Sequence, residues 1–368
     1  MMRPPLRVWA WTAAALALVV AAALLWRGSD AAATVSTTAP AVEAPAGDLP
    51  ATLGVRWTAQ ATGPVDVAGA RALVAGPHGV RALDPVTGAE AWRYTRANAR
   101  LCDAVVVDGR VVAVFRTTGR CDEAVALEAG TGVRAWTRNV TYEAGVRLHA
   151  TGGVVLAVGS TGVVTLDPGA GGTRWRQSTP EGCTVGGADA GPAGVVVLQH
   201  CDRTAPPQLR LFDAFDGTPR WTRDLTDPTS TLAAVSELVV VAGDTGVEFL
   251  AAPDGSPTGT LDAGGDDVLV SAVGDTTLVL ADGTVSAVDP AGAVRWEAPA
   301  EGLPSPSPQA PADGVVAVPE AGAVVLRDLA GGAQTGRSAA PGLAGAGLVD
   351  RLGPVLLTRQ ADRVTTWG

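Results

Sequence analysis

The stretch Ala82–Trp92 reads A-L-D-P-V-T-G-A-E-A-W, a strand end, a tight turn and the start of a second strand. The pattern returns as Ala126–Trp136, A-L-E-A-G-T-G-V-R-A-W, as Thr165–Trp175, T-L-D-P-G-A-G-G-T-R-W, and as Leu211–Trp221, L-F-D-A-F-D-G-T-P-R-W. Ala287–Trp296, A-V-D-P-A-G-A-V-R-W, is one residue shorter. Two weaker copies, Phe249–Gly259 and Val325–Thr335, lack the tryptophan. Copies recur about every 38 to 46 residues, the period of four-stranded propeller blades. In the first unit, runs at Pro64–Ala68, Arg71–Ala75, Gly79–Leu83 and Glu90–Tyr94 carry the Val/Ala/Leu content and turn boundaries of short strands. Pro85 presets φ for the turn, and Gly88 supplies the positive φ where the chain re-enters the sheet. The tryptophan that follows is expected to fill the wedge between neighbouring blades, since one blade cannot bury its own faces.

The A-x-D-x-x-T-G-x-x-x-W pattern resembles the tryptophan-docking motif of the quinoprotein-type, PQQ-like, eight-bladed propellers. Asp84, Gly88 and Trp92 match it, as do Gly132 and Trp136, Gly171 and Trp175, Gly217 and Trp221, and Trp296. The resemblance runs from about residue 52 to the end and implies the fold; many members of this family bind no quinone. Seven motif copies give seven units. The tail supplies three more strands, Gly345–Val349, Pro354–Thr358 and Arg363–Trp367, and Gly54–Thr58, carrying Trp57, supplies the outer strand that completes an eighth. The expected fold class is all-β: an eight-bladed β-propeller of four-stranded antiparallel blades, closed by strands from both chain ends. The alternative is seven blades with an untidy tail. Closure removes exposed sheet edges.

Upstream, residues 1–7 form a short basic tail, and Val8–Trp26 is an apolar run of about 28 Å as a helix, enough to span a hydrocarbon core. Trp9, Trp11 and Trp26 lie near its ends, and Arg3 and Arg7 precede it, which favours an anchor with the N-terminus inside. The competing reading is a signal peptide cut after Ala33. Either exports the propeller. Residues 27–51 have the Ala/Pro/Thr-rich composition of an extended spacer, leaving 52–368 for the propeller.

Four cysteines fall into two similar pairs, Cys102 with Cys121 and Cys183 with Cys201. Each pair places one cysteine at the start of an inner strand and the other where the second strand ends and the third begins. This is one of three connectivities, and it suits an oxidising compartment. A metal or redox site is the alternative, though the sequence has no Cys-x-x-Cys and its three histidines, His78, His149 and His200, are scattered.

The formal net charge is −10, and every basic residue apart from histidine is arginine. That balance excludes nucleic acid as an expected partner. Dehydrogenases of the family carry a vicinal Cys-Cys ring, a calcium held by acidic and amide residues, and a catalytic aspartate. Here no cysteines are adjacent, and Asn98 and Asn139 are the two asparagines. The resemblance therefore implies a non-enzymatic member with no cofactor, no metal and no catalytic residues. The expectation is a membrane-tethered extracytoplasmic module that binds or scaffolds a protein or cell-envelope partner. The disulfide-pinned loops bearing Arg120, Asp122, Asp202 and Arg203 are the candidate partner face. A quinoprotein-type oxidoreductase, or a cation-dependent enzyme with its site in the central funnel, is the alternative. The loop Gly264–Val268, with Asp266 and Asp267, is a minor candidate for a cation.

Overall fold

The computed structural model describes residues 6–27, 29–63, 65–201, 206–244, 246–263, 268–343, 345, 347–360 and 362–368. Eight radial sheets surround a central funnel. Blade 1 is Val65–Ala68, Arg71–Gly76, Gly79–Leu83 and Glu90–Arg96; blades 2 to 6 follow the same up-and-down order through Val294–Pro299. Blade 8 joins the two ends of the propeller. Its strands Gly347–Leu352, Val355–Gln360 and Arg363–Trp367 are completed by Val55–Gln60, with Thr58 opposite Thr365.

The middle of each second strand is largely apolar because a blade is covered on both faces. Val111–Phe115, Val154–Ala157 and Val195–Leu198 are buried end to end. β-Branched valine suits such pleated, two-sided burial. The core is accordingly divided between blades: one cluster joins blade 1 to blade 2 through Trp92, Phe115 and Leu127, and another joins blade 8 to blade 1 through Val74, Leu357 and Val364.

Blade 7 departs from the regular unit. Val315–Glu320, Ala323–Asp328 and Gln334–Ala339 form its ladder, but Gly302–Pro304, at the inner position, pairs in parallel with the inner strand of blade 8 instead. The sequence Leu303-Pro-Ser-Pro-Ser-Pro308 explains this. Proline has no N–H, so Pro304, Pro306 and Pro308 leave one side of the segment without donors. Ser305 donates its N–H to the Val349 carbonyl of blade 8 at 2.7 Å, and Ser307 donates to Ala272 of blade 6 at 2.8 Å. The segment thus stitches the two neighbouring blades together.

Residues 34–53 lie against the propeller. The helix Leu6–Arg27 contains the span Trp9–Arg27, long and apolar enough to cross a membrane, a property that a signal sequence shares. Thr34–Ser36 then adds a fifth, outer strand to blade 1, with Val35 opposite Thr95. The chain continues across one face. Ala39 donates to the Thr131 carbonyl at 2.9 Å, and the Pro40 carbonyl accepts from Arg71. Ala44 reaches the funnel wall, the Pro45 carbonyl packs on Gly353, and Asp48 pairs with Arg351 at 3.7 Å. Leu49 and Leu53 seal the groove between blades 7 and 8. The composition of 27–51 describes a spacer; over 34–53 the structure shows a strap instead. Its attachments are largely main-chain bonds, which depend on tertiary placement and leave no mark on composition.

Candidate functional site

Six tryptophans hold the ring shut in the same way. Trp92 is fully buried and lies flat over the turn of blade 2, where a Cβ on Gly132 would stand 2.7 Å from its ring. Its indole N–H donates to the Ala129 carbonyl at 2.9 Å. Gly132 has φ +73°, a conformation that glycine takes without strain. Trp136 docks on Gly171 and donates to Pro168, Trp175 on Gly217 and to Ala214, and Trp221 on Gly255 and to Ala252. Trp296 docks on Gly332 and donates to Leu329. Trp57, on the strand donated by the amino-terminal end, docks on Gly88 and donates to Pro85, closing blade 8 onto blade 1. Asp84 shapes the receiving turn, its carboxylate accepting from the N–H groups of Val86 and Thr87 and from the Thr87 hydroxyl.

The funnel opens on the face crossed by the strap, with a volume of about 1470 Å³. Its mouth is rimmed by Asp108, Glu237, Asp275 and Asp313, all exposed. Deeper, Asp350 lies 3.7 Å from Arg359, which also donates to Ser305. Asp66 is set into the wall beside them. Burial pushes its carboxyl up to about 6; Arg359 lowers it and Asp350 raises it. Burial raises Asp350 as well. On the opposite wall His149 Nδ1 lies 3.1 Å from Asp189, whose other oxygen accepts from the Val235 N–H of the next blade. Asp103 likewise accepts from Leu148 across a blade boundary. These carboxylates bond inner strands of different blades to one another. The sequence shows the aspartates but not their convergence, because they come from blades up to some 280 residues apart.

The opposite face carries both disulfides, Cys102–Cys121 in blade 2 and Cys183–Cys201 in blade 4. Cys102–Cys121 joins the first and third strands of blade 2 across the end of the second, and Cys183–Cys201 joins the ends of the first two strands of blade 4, which antiparallel pairing brings side by side. Arg120 is exposed in the turn just before Cys121. Asp122 is also exposed, but its carboxylate is turned back on its own loop, accepting from the Thr117 N–H and from the hydroxyls of Thr117 and Thr118. Asp202, Arg203, Asp266 and Asp267 lie outside the described residues.

Two stretches, 23–189 and 159–340, match a PQQ-like family model described as outer membrane protein assembly factor BamB. The chain belongs to this family. No curated protein matches it. Among solved structures it is similar to BamB from Moraxella catarrhalis, with 19% identity, a TM-score of 0.51, and 86% of this chain covering 99% of that one. It is also similar to the quinohemoprotein alcohol dehydrogenase ADHIIG from Pseudomonas putida HK5, with 12% identity, a TM-score of 0.52, and 86% of this chain covering 76% of that one. The computationally designed Ika8 protein shares 14% identity at a TM-score of 0.53, with 87% of this chain covering 99% of that one. At these identities the likeness concerns the fold.

The residues of the funnel do not fit a family quinone site. Neither disulfide is vicinal, and neither lines the funnel. Among the described residues no three His, Cys, Asp or Glu side chains gather at metal-binding spacing. Asp350, a carboxylate of the inner wall, faces Arg359.

Proposed function

We propose that the protein is a membrane-tethered extracytoplasmic binding or scaffolding module, a closed ring that offers a protein or cell-envelope partner a preorganised surface. The helix is its single-pass anchor, with the N-terminus inside. In support, Asp30, ahead of the candidate cleavage point after Ala33, forms an ion pair with the nearly fully buried Arg96 at 3.0 Å. The observation that carries the binding role is the funnel mouth. Four exposed carboxylates surround the opening; Asp313 is paired with Arg351 at 3.3 Å, while among the described residues Asp108, Glu237 and Asp275 form no ion pair, and such a rim favours a basic partner segment. A rigid ring spends little ordering entropy on binding. Photocrosslinkers at Glu237, Asp275 and Arg120, in the native membrane, test the reading on both faces. A defined protein adduct is expected at one face; no adduct at any position overturns it.

The second reading is an enzyme working in the funnel, either a quinoprotein-type oxidoreductase or a cation-dependent activity. It is favoured by Asp66, whose carboxyl burial pushes up to about 6, and by the close His149–Asp189 pair on the funnel wall. A quinone-type absorption band in the purified chain, or a rise of several degrees in Tm with added quinone and calcium, would replace the first reading with this one.

A further inference from the structure

The end of the apolar helix is tied to one loop of the ring. Asn98 donates to Asp30 at 2.6 Å, and Ala97 donates its N–H to the Ala33 carbonyl at 2.8 Å. Two residues separate Arg27 from Asp30, so the helix end lies within about 11 Å of that attachment. The loop leads directly into Arg100, at the start of blade 2.

Around that point cations gather. Arg100 stands directly opposite Arg116 across the ladder, Arg120 lies in the next turn, and Arg147 opens the inner strand of blade 3. Arg100, Arg120 and Arg147 are exposed and Arg116 is partly so. Elsewhere arginines such as Arg110, Arg174, Arg223 and Arg327 each form an ion pair with a carboxylate; among the described residues these four form none, though Arg147 lies within the field of Asp103. Like charges directly opposite in a ladder are unfavourable, and the cost is relieved by an anion. The Cys102–Cys121 bridge fixes the strand ends that carry them. The far side of the same face has the other sign, with Asp244, Asp282 and Glu301 exposed in its loops.

We propose that this arginine sector is a lipid-docking surface, which rests on anionic phosphodiester headgroups of the bilayer that holds the helix. The ring then sits tilted on blades 2 and 3. Its acidic sector is lifted from the bilayer, and the funnel mouth, on the other face, points away from it. The inference depends on the anchored reading above and adds the surface and the lipid chemistry.

The test uses the full chain in nanodiscs of phosphatidylcholine, with and without phosphatidylglycerol, read by amide hydrogen exchange at 97–101, 116–121 and 144–148. Exchange several-fold slower in the anionic discs is expected. The effect should fade with added salt, while the loops at 282 and 301 stay unchanged. It should vanish in a variant carrying Arg100→Gln, Arg116→Gln, Arg120→Gln and Arg147→Gln. If that variant melts early, Arg120→Gln alone is read instead for about a five-fold weakening. Equal exchange in the two kinds of disc overturns the lipid surface and leaves the anchored module standing. Slow exchange that persists without the arginines also overturns it. A chain that leaves both kinds of disc overturns the anchor and this inference together.

Discussion

The junction between blades 1 and 2 and the junction between blades 5 and 6 solve the same problem in opposite ways. At the first, Trp92 fills the wedge and the turn of blade 2 arches over it. At the second, Gly259 stands at the tryptophan position, and the next turn, Asp289-Pro-Ala-Gly292, is one residue shorter. The shortened turn drops into the vacated space, so that a Cβ on Gly259 would meet the Gly292 carbonyl at 2.6 Å. The junction of blades 7 and 8 follows the same rule. Gly336 replaces the tryptophan, and the place of the receiving turn in blade 8 is taken by the two chain ends, where Gly54 and Gly368 bond each other. Irregularities in this ring come in matched pairs because a docking side chain and its receiving turn occupy one volume.

That comparison breaks most readily at Trp92. Trp92→Ala removes roughly 200 Å² of buried area and strands the Ala129 carbonyl, for an expected loss of about 3 to 5 kcal/mol in denaturant unfolding. A change of under 1 kcal/mol would show that the tryptophans do not hold the blades. Gly132→Val approaches the same junction from its other side. Strain at φ +73° and the clash with the indole should together cost about 3 kcal/mol. Gly172, which has open space where a Cβ would stand, should accept alanine with little effect. Replacing Cys102 and Cys121 by serine should cost about 3 kcal/mol through the freed 19-residue loop, measured as a lowered midpoint that added reductant lowers further by less than it lowers the parent's, since only Cys183–Cys201 is left to open.

The junction of blades 5 and 6 sharpens the comparison. Restoring the repeat with Gly259→Trp should destabilise by about 2 kcal/mol, since the space is taken. Lengthening the turn after Pro290 by one residue should recover most of that loss. Stabilisation by Gly259→Trp alone would refute the pairing of defects.

The smallest effect tests the closure in the funnel. The Asp66 carboxyl is raised in the folded chain, so the fold binds its proton more tightly than the unfolded chain does. Its contribution to stability is full below about pH 4 and is lost as pH rises through about 6. Asp66→Asn should therefore raise Tm relative to the parent at pH 7.5, by a stability on the order of 2 kcal/mol or less, and the gain should disappear near pH 4. An equal Tm difference at both values would mean that the Asp66 proton is not linked to folding.

Much of the architecture was legible in the chain. The D-x-x-T-G turn with its trailing tryptophan announces both partners of each junction, because the turn chemistry at Asp84–Gly88 and the indole of Trp92 are local features repeated at blade spacing. The cysteine spacing announces the bridges because antiparallel strands bring those ends together. The inner segment of blade 7 was readable only afterwards. Its prolines signal a lost donor side, but not that its serines would reach blades 6 and 8. Least legible was the funnel. Asp66, Asp350 and Arg359 meet at the seam where the chain ends join, and no local pattern marks them.

The sequence by itself determined the blade, its turns, the docking side chains, the closing strands and the apolar helix, all of which rest on short-range periodicity and turn stereochemistry. Only the tertiary structure decided the rest: where residues 34–53 lie, which carboxylates share the funnel, and that Arg100, Arg116, Arg120 and Arg147 share the face of the ring to which Asp30 is tied. Those placements depend on closing a ring of about 310 residues. In that ring, charge and main-chain donors find partners from distant blades, and a side chain's neighbours are set by closure and not by its place in the chain.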